Sequence, residues 1–178
     1  MPARSAVRPR ATLAALLRRG NYQVADEAEL LFALASRDIV LLKPGRVYYI
    51  EPVSIEINAP FVEGNGAEII FAYEGIAHIV ASSNVRNLNL FNCSLNIEAG
   101  ADVILSGIRF SGTTPDDCYV LVKADGSVRA FGLLGDGGTD GFRVLDGGKA
   151  AVVGCDMQSY IHFGSGQLTV AGSFGTVT

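Results

Sequence analysis

With 178 residues, 49% of them hydrophobic and 18% charged, the chain is long enough for one domain with its own core and too apolar to be disordered. Its apolar runs fall far short of the roughly 20 residues that a membrane helix needs. Charge is segregated: residues 1–19 hold five arginines and no acid, while the remainder holds nine Lys or Arg against eighteen Asp or Glu, which is not the balance of a typical nucleic-acid domain.

Residues 1–20 read as a basic N-terminal arm with a short helix. Arg4, Arg8, Arg10, Arg18 and Arg19 are the candidate partner-binding residues, a cationic segment suited to an acidic partner in a larger assembly. The stretch ATLAALLRR, residues 11–19, has a helical pattern, and its arginines break the apolar run, so it makes a poor signal peptide. Residues 21–52 read as a helical cap and a first coil. ADEAELLFALAS, residues 25–36, is helical in pattern, with Asp26, Glu27 and Glu29 in its first turn where the helix dipole favours acids. A strand, a Pro-Gly turn and a second strand follow in RDIVLLKPGRVYYI. A helix laid over the first coil would cover an exposed sheet edge.

Residues 53–178 carry an internal repeat. A residue tolerant of positive φ recurs four positions after a mostly apolar one, in Val62/Gly66, Val85/Asn89, Val103/Gly107, Val128/Gly132, Ala150/Gly154 and Leu168/Gly172. A second strand precedes each unit: Ile79, Ile97, Val122 and Val144 lie six residues upstream of their partners, and Ile57 and Phe163 five. The connecting segments EAGAD, KADGS, LDGGK and GSGQ are turn chemistry. Gly and Asn take φ > 0 most readily, so one such residue between two short strands turns the chain sharply. Gly66, Asn89, Gly107, Gly132, Gly154 and Gly172 are therefore predicted structural corners, and their column predicts an all-β, right-handed parallel β-helix of about six coils with a short N-terminal helical cap. A leucine-rich repeat would need constant unit length and a regular helix per unit. A β-sandwich would not place a corner glycine at one repeated site.

The segment from Ala25 to Ile50 is similar to the entry segment of right-handed β-helix proteins of the pectate-lyase-like superfamily, with Lys43, Pro44, Gly45, Val47 and Tyr48 at the matching positions. With the repeats, the resemblance spans about residues 25–178. It implies the β-helix fold and is weak for function. The superfamily includes polysaccharide lyases, hydrolases and epimerases, and many phage tailspike, fibre and capsid-associated proteins.

The chemistry-bearing residues are few. Cys93, Cys118 and Cys155 are odd in number with no CxxC, which fits buried free thiols better than a disulfide framework or a zinc site. Asp116 and Asp117 on the 111–117 bulge, with Asp136 and Asp140 on the 135–141 bulge, are weak candidate metal ligands beside Arg109 and Arg143 if adjacent coils stack the two bulges. Turn preference alone explains these aspartates, as it does Asp146. His78 and His162 are expected in one outward column with Asn96, Leu121 and Arg143, too far apart to share a metal, and Leu121, Ile104 and Ala151 hint at an interface on the outer faces. No nucleotide, metalloprotease or hydrolase motif occurs, so no catalytic residue and no cofactor is expected.

These observations lead to the expectation of a non-enzymatic structural protein of a viral particle, such as a capsid decoration, spike or tail-associated component. It would assemble as a homo-oligomer, expected to be a trimer, and dock through its arm. The C-terminal segment QLTVAGSFGTVT reads as a coil that a neighbouring subunit would cover. The alternatives are a polysaccharide lyase or hydrolase, and a glycan-binding adhesin.

Overall fold

Gly66, Gly107, Gly132, Gly154 and Gly172 all adopt φ between +56° and +71°. They sit at the same bend of successive coils in a computed structural model, which describes residues 24–36, 39–113, 118–136 and 139–178. The backbone amides of Gly107, Gly132 and Gly154 donate to the carbonyls of Phe131, Val153 and Ala171 in the next coil at 3.0–3.1 Å. These three corners are thus hydrogen-bonded to the coil above, and the five glycines predicted from the sequence stand in single file.

One corner differs from the expectation. Asn89 lies inside a strand, in register with Glu68 and Arg109, and it is Asn87 that takes the left-handed conformation at φ +53°. The cause is the preceding turn. Ser83, not Val85, pairs with Val103, so the turn after Ile79 is two residues shorter than the turn after Ile97, and aligning on the valines shifts this coil by two.

The chain is mostly strand and winds into a parallel β-solenoid of about six turns. Its helix α1 (Glu27–Ala35) is followed by β1 (Ile39–Leu41), β2 (Val47–Ile50), β3 (Ser54–Ile57), β4 (Phe61–Ile79), β5 (Ser83–Ile97), β6 (Asp102–Ser106), β7 (Arg109–Ser111), β8 (Cys118–Val122), β9 (Ser127–Phe131), β10 (Leu134–Asp136), β11 (Thr139–Val144), β12 (Lys149–Val153), β13 (Asp156–His162), β14 (Gln167–Ala171) and β15 (Phe174–Val177). The long strands β4 and β5 run around the bends and contribute to all three faces of the coil. The first face stacks β1, the starts of β4 and β5, then β6, β9, β12 and β14. The second stacks β2, the middles of β4 and β5, then β7, β10, the start of β13, and β15. The third stacks β3, the ends of β4 and β5, then β8, β11 and the end of β13.

Period-2 alternation sends one side of every strand inward, so equivalent residues of successive coils form apolar ladders. On the first face the ladder is Val40, Val62, Val85, Leu105, Ala130 and Val152, all buried. On the third it is Ile57, Ile79, Ile97, Val122 and Val144. Burying each Val, Leu or Ile of these ladders contributes about 1.5–3 kcal/mol relative to leaving it in water. No coil can complete this burial alone, so stability resides in the contacts between neighbours.

The cap forms for local reasons. Asp26 is the N-cap, its carboxylate accepting from the Glu29 amide at 2.9 Å, while Glu29 accepts in return from the Ala25 amide at 2.6 Å. This reciprocal arrangement satisfies helix-start donors that would otherwise lack partners. Leu30 and Leu34 are buried against the first coils, and the Leu34 carbonyl accepts from the amides of Asn58 and Ala59. The expected Pro-Gly turn closes with the Arg46 amide on the Lys43 carbonyl at 3.2 Å and Gly45 at φ +63°. Tyr48 is fully buried, and its hydroxyl donates to the Val24 carbonyl at 2.8 Å, tying the entry of the chain to the first coil. The helix expected at 11–19 lies outside the described residues, as does the arm.

Cys93, Cys118 and Cys155 are buried free thiols. Burial pushes the Cys93 thiol far above the ordinary range, and Cys118 beside it adds to that. A thiolate is the reactive species, so the folded protein is expected to be inert to Ellman's reagent and to release three equivalents on unfolding in denaturant. A fast-reacting thiol in the native protein would contradict this packing.

Candidate functional site

The polar residues of the third face converge where the sheet meets its turns. Glu98 and Lys123 open successive turns, in which the amides of Ala101 and Gly126 donate back to the Glu98 and Lys123 carbonyls at 3.0–3.1 Å. Because the turns stack, these two side chains project side by side. His78 stands in the outward column of the coil before Glu98, in register with Asn96. The Glu98 carboxylate joins the other two: Oε1 lies 2.6 Å from His78 Nδ1, and both oxygens accept from Lys123 Nζ at 2.8 Å. Ser54, Glu56, Val80 and Ala99 complete the walls of a shallow, open depression around them.

Burial raises the Glu98 carboxyl, but the hydrogen bonds from His78 and Lys123, together with their charges, outweigh it and leave the group below the usual glutamate range. A carboxylate lowered in the folded state stabilises the fold above the unfolded value of about 4.3, and that contribution is lost as pH falls through the lowered value. The three side chains are each about a quarter to a third exposed, so solvent screens the pairs to at most about 1 kcal/mol each. The expected result is that Glu98→Gln makes the acid limb of stability shallower below about pH 4.3, as read from urea midpoints between pH 3 and 7. An unaltered acid limb would remove Glu98 as a contributor to it.

Chemically the arrangement is a clamp across three coils. Glu98 orients the imidazole, as a carboxylate does in a proton-shuttling pair, but among the described residues no nucleophile is hydrogen-bonded to the ring. Ser54 pairs with Ile76, diagonal to His78, which places it roughly 7 Å away by the sheet spacing. Among the described residues, no group of three or more His, Cys, Asp or Glu is placed to hold a metal ion.

The other candidates fall elsewhere. Asp116 and Asp117 lie outside the described residues, and the side chains of Asp136 and Asp140 are likewise outside the description. The strands that flank the two bulges are paired: Ser111 with Asp136 on one side and Cys118 with Thr139 on the other. Arg143 is stacked over the Tyr119 ring at 4.8 Å. Asp146 accepts from the Ser165 hydroxyl and amide, which hold its carboxyl below the usual range. Arg4, Arg8, Arg10, Arg18 and Arg19 are outside the described residues.

His162 does not share the column of His78. Ile161 pairs with Arg143, and His162 pairs with Val144, at the inward position of its coil but exposed. Phe163 opens the last turn, accepting from the Gly166 amide, so it is a turn residue and not the inward strand residue expected from the five-residue spacing. The His78–Glu98–Lys123 clamp was not anticipated. Its signal was present as opposite charges at the same turn position of adjacent coils.

No family model, curated protein or solved structure matches this chain. The fold therefore stands on the coil geometry itself: a parallel β-solenoid, as the repeats implied.

Proposed function

We propose that this chain is a structural module that acts by associating with copies of itself and not by catalysis. The observation that carries this reading is apolar side chains on the outer faces of the solenoid, where water would otherwise favour polar ones. Phe131 is 44% exposed, Val153 45%, Leu134 49% and Phe174 75%. They belong to successive coils on either side of the glycine corners. Exposed apolar residues that occur singly are ordinary, whereas a contiguous set marks a contact surface.

The reading extends to a component of a viral particle, docked through the arginine-rich arm. That extension rests on the resemblance to β-helix proteins of the pectate-lyase-like superfamily and on the separation of a basic arm from an acidic body, and fold analogy alone does not assign function. Sedimentation velocity of the full chain over about 1–100 μM tests the core of the proposal. We expect the weight-average sedimentation coefficient to rise with concentration toward a discrete oligomer. A monomer throughout that range would refute self-association.

A further inference from the structure

The three outer faces are not equivalent. On the first face, the five-residue strands present three outward positions per coil; the column Asp102, Ser127, Lys149 and Gln167 is polar, and the other two hold apolar residues. One of those two includes Phe61, Ile104 and Ala151, and the other Phe131, Val153 and Ala171. The two acids and two arginines of this face are paired within the chain, whereas Lys149, outward at the start of β12, makes no ion pair among the described residues. Arg86 Nε lies 2.5 Å from Glu63 Oε2 with its guanidinium over the Phe61 ring, and Arg129 reaches Asp102 at 3.4 Å. The rest of the body carries a marked acidic excess that repels a like copy.

We propose that this first face is an isologous contact surface whose occupant is the same face of a second copy. The inference rests on the self-association reading above and names the surface that performs it. Charge decides the occupant. A chain with twice as many acids as bases outside its arm meets its own kind most easily where each acid is already neutralised by a neighbouring arginine. Shape agrees. Two flat sheets with the same strand repeat of about 4.8 Å pack face to face at about 10 Å, with side chains of one filling gaps in the other.

Size sets the strength. Seven strands stack here, so the face is about 29 Å tall by the strand spacing and about 16 Å wide for five-residue strands. That footprint, about 460 Å², lies below the roughly 800 Å² per partner of a standard stable interface. The contact is accordingly a weak one, with half-association on the order of tens of micromolar, and its salt dependence is small because Lys149 is the one charge of the face left unpaired among the described residues.

The test compares the full wild-type chain with Phe131→Glu/Val153→Glu, with Ser106→Lys on the same face, and with Tyr73→Glu, which lies on a bulge between the second and third faces. Each is followed by sedimentation velocity from about 1 to 200 μM at low and high salt, with circular dichroism to establish folding. We expect a wild-type dimer whose dissociation constant moves less than about twofold with salt, a loss of at least about 100-fold in both first-face variants, and no change in Tyr73→Glu. Ser106→Lys, at a half-buried polar position, keeps the test decisive if the double variant fails to fold. Wild-type association that survives the first-face substitutions overturns the inference while leaving self-association standing, as does a trimeric limit, because a face that meets itself closes at two. A monomer at every concentration overturns both.

Discussion

Gly64→Ala is expected to lower the thermal midpoint by roughly 6–12 °C, equivalent to about 3 kcal/mol for a chain of this size. Gly64 is buried, and a β-carbon there would stand 2.3 Å from the Asn87 carbonyl oxygen and 2.8 Å from the Leu88 α-carbon. Both atoms are backbone of the next coil. A flexible side chain could rotate away, but these atoms are fixed by the hydrogen bonds that set the coil spacing. The methyl group can be accommodated only by prying two coils apart, and every ladder crossing that gap then loses contact. Gly132→Asn is the matched comparison. That corner has φ +58° with nothing within 4 Å of an added β-carbon, and asparagine accepts the left-handed region, so its cost is under about 1 kcal/mol. Equal midpoints for the two variants would mean that the coils are not as closely apposed at Gly64 as described.

Tyr160→Ala is expected to cost about 3–5 kcal/mol, and to do so unevenly along the molecule. Tyr160 is fully buried, stacks on Phe142 of the preceding coil at 6.1 Å between ring centres, and donates its hydroxyl toward the carbonyls of Cys155 and Phe174. It therefore links its own coil to both neighbours. In a solenoid each coil touches only the next, so the damage stays near the lesion. Hydrogen exchange should show amides of β13 to β15 losing protection while those of β4 and β5 keep theirs. Uniform loss of protection across all strands would instead indicate that the coils unfold as one cooperative unit.

The corner column was legible because a positive φ restricts residue choice so strongly that composition reports backbone geometry directly. Asn87 escaped because it competes with Asn89 two positions away, and only the length of the preceding turn decides between them. The period-2 ladders were legible for the same reason as in any strand: half-burial alternates. His162 was misplaced because strand phase is set by where a turn starts, and Phe163 looks like a core residue while serving as the first residue of a turn. The His78–Glu98–Lys123 clamp links residues 20 and 25 positions apart, and such contacts depend on stacking register, which sequence spacing gives only after the corners are correctly assigned. The apolar outer face was partly visible in Ile104 and Ala151. The pairing of its charges was not, since Glu63 and Arg86 meet across coils.

Two neighbouring coils bridge the same gap with very different lengths of chain. Between β7 and β8 lie residues 112–117, and between β10 and β11 only residues 137–138, yet the strands on both sides stay paired. Closing a longer loop is cheap, at about 0.6 kcal/mol per doubling of length. This gap is thus a natural grafting point, where foreign peptides or new recognition loops can be spliced in and displayed without disturbing the scaffold that carries them.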